Sequence, residues 1–386
     1  MIDVVIAGIG QTTVGEHWEI SLRSLANEAV QLAMLDAGGI KPQVLYVGNS
    51  LAPFLSRQTL LGSLLADFSG LSGIEAASIE AGGASGGAAL RQGFLAIKSG
   101  MVDVALVVGV EKFTDAVGSE VESALASGLD SEYESPQGLT SSGQAALLAQ
   151  RYFHEFHLPI DGLASFPMVS HANGAGNKYA MFRKPITLET YKKSEIICPP
   201  LNLFDIAPNA DGAAAVLLAR RDFLPPEYIH PPVRIASSSS VSDTLALHDR
   251  PDILELKAAR RSVEICLNNA GIILERINLF EYFDSSSIIA ALSLEAAGFA
   301  KPGEGWNFGK NGEISLTGKI PCATMGGLKA RGNPMGATGV YQAVEAALQL
   351  RELAGVNQIK HPKYALIQSL GGPASIAVSH IFERLV

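Results

Sequence analysis

Glu80-Ala-Gly-Gly-Ala-Ser-Gly-Gly87 stands between a short apolar run and a segment of helical period, so it reads as a glycine-rich strand-to-helix turn. The run at 76 to 80 predicts a strand, and 85 to 99 predicts a helix leading to a further strand, Asp103-Val-Ala-Leu-Val-Val-Gly-Val110. Glycine at a helix start lets a ligand approach unpaired backbone N–H groups, where the helix dipole favours developing negative charge. Three further turns stand at element ends: Glu281-Tyr-Phe-Asp-Ser285, Gly332-Asn-Pro-Met-Gly-Ala-Thr-Gly339 and Gln368-Ser-Leu-Gly-Gly372. Spacing alone makes each of them first a structural turn.

Working outward, strands at 3 to 8 and 211 to 219 and helices at 20 to 37 and 57 to 68 complete a first half. Residues 112 to 200 are polar and rich in glycine and serine, with mixed helices. This stretch is longer than a connection needs and reads as an inserted loop domain. From Val233 the alternation resumes: strand 233 to 237, helix 252 to 270, strand 278 to 283, helix 286 to 298, helix 335 to 354, strands 364 to 370 and 374 to 382. Ser85-Gly-Gly-Ala-Ala89 opens a helix leading to one buried strand, and Met335-Gly-Ala-Thr-Gly339 opens a helix leading to another, so the order of elements repeats. The expected fold is α/β and duplicated, in layers, with halves at 1–232 and 233–386.

Composition narrows the function classes. Hydrophobic residues make up 47% of the 386, charged residues 17%, and glycine appears 39 times, which describes a compact chain with a large core rather than a solvated one. Its sparse surface charge favours association between subunits. A net charge of -9 without a Lys/Arg cluster removes the electrostatic basis for nucleic-acid binding. No run of 18 apolar residues spans a membrane, and Met1 is followed at once by strand-like Val4-Val5-Ile6, so no leader is expected and the cytoplasm is the expected location. Cys198, Cys266 and Cys322 lie far apart with no CxxC spacing, which argues against a disulfide framework or a metal site.

Taken in order, the turns resemble those of the thiolase superfamily, in particular its archaeal-type and sterol-carrier-like branch, over essentially the whole chain. Gly8-Ile-Gly-Gln-Thr-Thr-Val-Gly-Glu-His-Trp18 is similar to that branch's opening segment, and Ser85-Gly-Gly-Ala-Ala-Leu90 to its nucleophile helix. Pro200-Leu-Asn-Leu-Phe-Asp205 through Asp211-Gly-Ala-Ala-Ala215 is similar to the return from its loop domain, and Gly326 to Gly339 to a segment carrying a catalytic histidine. The resemblance implies the duplicated α/β/α/β/α fold, a CoA thioester as substrate or ligand, a homodimer or higher homo-oligomer, and a small DUF35-type partner with an OB-fold and zinc ribbon.

Against the same resemblance, four side chains depart. The nucleophilic cysteine position reads Gly83, in Gly83-Ala-Ser-Gly86; the His-Asp or Asn-Glu turn reads Phe283-Asp284; the Gly-His-Pro turn reads Gly332-Asn333-Pro334; and the late Cys or His position reads Ser369, or Gln368 with a one-residue slip. None of the replacements is a base near neutral pH or an acyl acceptor of the usual kind. What the resemblance retains is backbone: the N–H groups of Gly83 and Gly371 match the pair that forms the family's oxyanion hole.

Other candidates carry plainer readings. Ser85 suits a helix cap. Cys322 suits a core thiol, the pair His154 and His157 a surface or interface, Tyr282 and Tyr341 packing, and Asp284 a structural hydrogen-bond partner. Three functions stay open: an acyl-CoA C-acyltransferase relative that binds a thioester without the cysteine; an aldolase-type lyase on a β-hydroxyacyl-CoA, using Tyr282, Tyr341 or Asp284; and a non-catalytic scaffold in an acyltransferase complex.

Overall fold

The computed structural model describes residues 2–385. Its first half contributes β1 (Val4–Gln11), α1 (Leu22–Asp36), β2 (Val44–Gly48), α2 (Leu61–Phe68), β3 (Glu75–Ile79), α3 (Ser85–Lys98) and β4 (Val104–Glu111). The inserted segment carries α4 (Gly118–Ala126), α5 (Ser141–Phe156), α6 (Ser165–Ala175), α7 (Leu188–Lys192) and a small two-stranded ladder, β5 (Ile196–Cys198) with β6 (Leu201–Asn202). Then follow β7 (Gly212–Arg220), β8 (Val233–Ser242), α8 (Lys257–Ala270), β9 (Leu279–Glu281), α9 (Ser287–Ala296), α10 (Gly305–Lys310), α11 (Thr338–Leu350), β10 (Tyr364–Gly371) and β11 (Ile376–Arg384).

Nine strands form one sheet in the order β3-β2-β4-β7-β1-β8-β11-β10-β9. The order is nearly symmetric about β1 and β8, which are joined by only two residue pairs, Val5 with Arg234 and Ile6 with Val233. Reading outward, β7 answers β11, β4 answers β10, and β2 answers β9. The counterpart of β3 is reduced to a single parallel bridge between Phe280 and Cys322. The duplication that the turn order suggests is thus present as topology.

α3 and α11 pack between the two halves of the sheet, α1 and α2 cover the first half from outside, and α8 and α9 cover the second. The central layer explains the glycine content around the turns. A Cβ on Gly86 would lie 2.8 Å from Gly336 O, and one on Gly339 would lie 2.6 Å from Ser369 Oγ and 2.8 Å from Gly87 Cα, so the two helix starts meet backbone to backbone. All of α11 is buried except Leu348, as a helix sandwiched between the two halves of the sheet must be.

Most predicted elements appear with shifted ends. The helix expected at 252–270 begins at Lys257, after a turn that follows Pro251, and the one expected at 335–354 begins at Thr338, after a tight turn at Met335–Ala337. β2 was not anticipated from its five residues. The strand expected to stop at 237 continues to Ser242, because its backbone pairs with β11 as far as Ser242 opposite Ile376, and within it Ser239 Oγ donates to Ser262 O at 2.6 Å and accepts from Cys266 Sγ. Among the described residues no helix is long and apolar enough to cross a membrane.

Candidate functional site

The four turns converge. Gly82, Gly83, Phe283, Asn333, Leu370 and Gly372 line one cleft of about 180 Å³, closed on its far side by α5 and by residues 206–209 of the segment that returns from the insertion. Contact between the first and last turns is through backbone. Gly82, at φ +57, sits so that a Cβ would be 3.4 Å from Gly371 Cα, while one on Gly371 would run into Ala81 O and lie 2.6 Å from Ile376 Cγ2. Ser85 locks this turn, its Oγ accepting from Ala81 N at 2.9 Å and donating to Gly82 O at 2.6 Å.

At the cleft's centre the ring of Phe283 occupies the space in front of Gly83. A Cβ built on Gly83 would overlap Phe283 Cζ and lie 2.6 Å from Leu370 O. The position has neither a side chain nor room for one without movement.

Asn333 is held from two sides. Its Oδ1 accepts from Met335 N at 3.1 Å, its N donates to Pro208 O at 3.0 Å, and its amide Nδ2 is the donor it has left to offer a ligand. Behind it lies Glu111, unremarked in the sequence beyond ending an apolar strand. Its buried carboxylate accepts from Asn49 Nδ2 at 2.8 Å, Ser50 N and Leu51 N at 3.0 Å, and Gly336 N at 3.1 Å. Burial pushes its pKa up to about 7 against those N–H donors, which favour the charged form. Glu111 therefore clamps β4, the 49–51 loop and the Asn333 turn together. A lone acid closing a run of buried valines was the signal available for it.

Asp284 and Ser369 belong to the walls of the site and not to its lining. Asp284 is fully buried, its Oδ1 accepting from Leu328 N at 2.8 Å and its Oδ2 from Ser170 Oγ at 3.4 Å, and burial raises its pKa. Ser369 donates to Gln342 Oε1 at 2.8 Å beneath α11, and Gln368 points to the opposite face of β10, where its Nε2 donates to Ala259 O at 3.0 Å. Alternation along a strand turns Leu370 to the cleft instead.

Tyr282, Tyr341 and Cys322 are all core residues. Tyr341 Oη donates to Thr12 O at 3.1 Å, Tyr282 packs on the edge of the Phe280 ring, and burial raises the pKa of all three. His154 and His157 lie on the surface of α5 and at its C-terminal cap, away from the cleft. Among the described residues no group of His, Cys, Asp or Glu is placed to hold a metal.

Among the described residues the single titratable side chain lining the cleft is Glu122, exposed at its rim. The remainder is glycine, amide, hydroxyl and apolar surface, an arrangement that can hold and polarise a carbonyl and offers no internal base.

Two family models divide the chain: one described as the thiolase N-terminal domain matches residues 4–199, and one described as thiolase C-terminal domain-like matches 239–384. The chain belongs to the thiolase family. It is 38% identical over 386 residues to an acetyl-CoA acetyltransferase of Methanothermobacter thermautotrophicus, covering 100% of both chains. It is 29% identical to the benzoylsuccinyl-CoA thiolase subunit BbsB of Thauera aromatica, covering 96% of this chain and 94% of that one. Among solved structures, a chain of the Ltp2-ChsH2(DUF35) aldolase superposes with a TM-score of 0.83 at 23% identity, covering 99% of this chain and 98% of that one, a likeness of fold. The layered, duplicated architecture is therefore the thiolase fold.

Proposed function

We propose that the protein binds a CoA thioester in the cleft and polarises its carbonyl with the backbone N–H groups of Gly83 and Gly371, without cysteine-dependent acyl transfer. One observation carries this reading. At the position that the family resemblance assigns to the nucleophile there is a glycine, and the Phe283 ring fills the volume a side chain would need. The loss therefore extends from one residue to its surroundings. With Asn333 and Ser369 at the two remaining acid/base positions, the groups left to act on a carbonyl are backbone ones: Gly83 in the cleft lining, and Gly371 between the lining residues Leu370 and Gly372. The acyl-CoA chemistry named in the relatives supports the ligand class. The boundary at 232/233 falls between the two family-model matches and beside the thin β1–β8 seam, and supports two halves.

A partnered role follows from the same chemistry. A site that holds a carbonyl and lacks a base acts only with a group from elsewhere, and two of the similar proteins are named as a subunit or with a DUF35 protein. We infer a DUF35-type partner and a homodimer for this chain as well. The sheet ends in β3, an edge strand available for pairing with a second copy. The aldolase alternative in its tyrosine form draws no support from placement, because Tyr282, Tyr341 and Asp284 all lie outside the cleft lining.

The test is thiolysis of acetoacetyl-CoA by CoA, followed by absorbance, for wild type and Gly83→Cys, each with and without a DUF35-type partner. No turnover by wild type together with measurable acyl-CoA binding supports the proposal. Turnover by wild type overturns it.

A further inference from the structure

α5 and α9 border a second cavity beyond the cleft. Gln144 and Leu148 of α5 and Ile289 of α9 face the cleft. One to two turns further on, Arg151 and Phe156 of α5 and Leu292 and Ala296 of α9 line a cavity of about 630 Å³, bounded on its third side by residues 251–256. Steps of three and four residues keep the two sets on one stripe of each helix. From Gln144 to Phe156 the stripe runs roughly 18 Å. A strut ties the walls of the two spaces: Arg250, next in sequence to Pro251 of the second cavity, donates from Nη1 to the carbonyl of Pro373, which lines the first, at 2.8 Å.

We infer that this second cavity seats the acyl group of the thioester, and that the ligand is a CoA ester with a long or bulky apolar acyl chain. The inference rests on the reading of the cleft as the thioester site. Size argues for it first, since pockets that engulf a small organic ligand typically run to about 300–1,000 Å³. The cleft, at about 180 Å³, holds a carbonyl and little more, whereas the cavity beyond it, at about 630 Å³, falls within that range.

Charge argues next, because the two ends of an acyl-CoA differ there most. The cavity has two cations, Arg151 and Arg260, against four carboxylates, Glu155, Asp252, Glu255 and Glu295. Both cations are already engaged: Arg151 with Glu155 at 2.7 Å, and Arg260 with Glu255 at 2.7 Å and Glu264 at 3.2 Å. Such a surface repels the phosphates of the nucleotide end. Between these charges the lining has an apolar face, formed by Phe156, Leu254, Leu256, Leu292 and Ala296, and Leu148 and Ile289 continue that apolar character on the cleft side of the same two helices.

The experiment is calorimetric binding of acetyl-CoA, octanoyl-CoA and dodecanoyl-CoA to the whole protein and to Ala296→Trp, which fills the cavity. Each buried methylene is worth about threefold to fourfold in affinity, so wild type is expected to prefer dodecanoyl-CoA over acetyl-CoA by about 100-fold or more. Ala296→Trp is expected to reduce that ratio to less than about tenfold, and taking the ratio within each protein cancels a general loss of folding. Acetyl-CoA binding with no gain from chain length, or a ratio unchanged by Ala296→Trp, overturns the acyl seat and leaves the thioester reading intact. Failure of every acyl-CoA to bind overturns both.

Discussion

Phe283 stands where a side chain on Gly83 would have to be: a Cβ there would overlap Phe283 Cζ and lie 2.6 Å from Leu370 O. The ring can swing and the carbonyl cannot easily follow, so Gly83→Cys is expected to cost about 1–3 kcal/mol by overpacking and to give no thiolysis. Adding Phe283→Ala removes the first clash and leaves the second. The double variant is therefore expected to be more stable than the two single losses summed, by about 1 kcal/mol or more in a urea-unfolding cycle. Additive losses would mean that the ring and the glycine are independent.

Glu111 fixes the Asn333 turn through Gly336 N at 3.1 Å while holding three more donors on the 49–51 loop. Glu111→Gln places an amide NH₂ against N–H groups that need an acceptor. A loss of about 1–3 kcal/mol is expected from chemical denaturation, with weaker acyl-CoA binding as the Asn333 turn loosens. Unchanged binding at reduced stability would confine Glu111 to a folding role.

The fold was legible because its cues are local and repeated: buried strand runs, helix-period segments, and glycine turns at matching points of two halves. The cleft's makeup was legible only in part. Gly83, Phe283 and Asn333 do meet, but Asp284 and Ser369 sit one alternation or one turn away, and which side of β10 faces the cleft depends on a register that spacing does not give. Glu111 was missed because its four donors come from segments about 60 and 225 residues away in sequence. The displacement of space from Gly83 to Phe283 is likewise a contact between distant turns.

A buried acid pair contributes to the pH response, in the same sense as Glu111 and against His380, which burial holds neutral. Glu281 accepts from Thr324 N at 3.0 Å, and burial together with the nearby Glu345 carboxylate raises its pKa to about 8. Arg331 Nη1 lies 3.1 Å from Glu345 Oε1, an ion pair by distance but not by hydrogen-bond geometry, and it tempers the pair without neutralising both acids. The folded chain then binds more protons than the unfolded one between the ordinary carboxylate range and about pH 8. The stability from this group is complete below the unfolded value and is lost as pH rises through the folded one. A melting temperature that falls from about pH 6.5 to 8, above the range in which His380 opposes the acids, is expected, with a flatter profile for Glu281→Gln. Parallel profiles would place the titration elsewhere.

The closest approach in the central layer offers the last test. A Cβ on Gly339 would lie 2.6 Å from Ser369 Oγ and 2.8 Å from Gly87 Cα and would overlap Gly87 N, so the obstacle is mainly backbone of the facing helix start. Ala is ordinarily the better helix former by about 1 kcal/mol, so propensity alone predicts that Gly339→Ala stabilises. Packing is expected to win, with a net loss of about 2 kcal/mol or more in denaturant unfolding, because α3 and α11 cannot separate without unseating the Gly83 and Asn333 turns at their N-termini. The same geometry couples stability to the site: Gly339→Ala is expected to weaken acyl-CoA binding although its methyl lies outside the cleft lining. A stabilised variant with unaltered binding would show that the helix starts have slack the structure does not display.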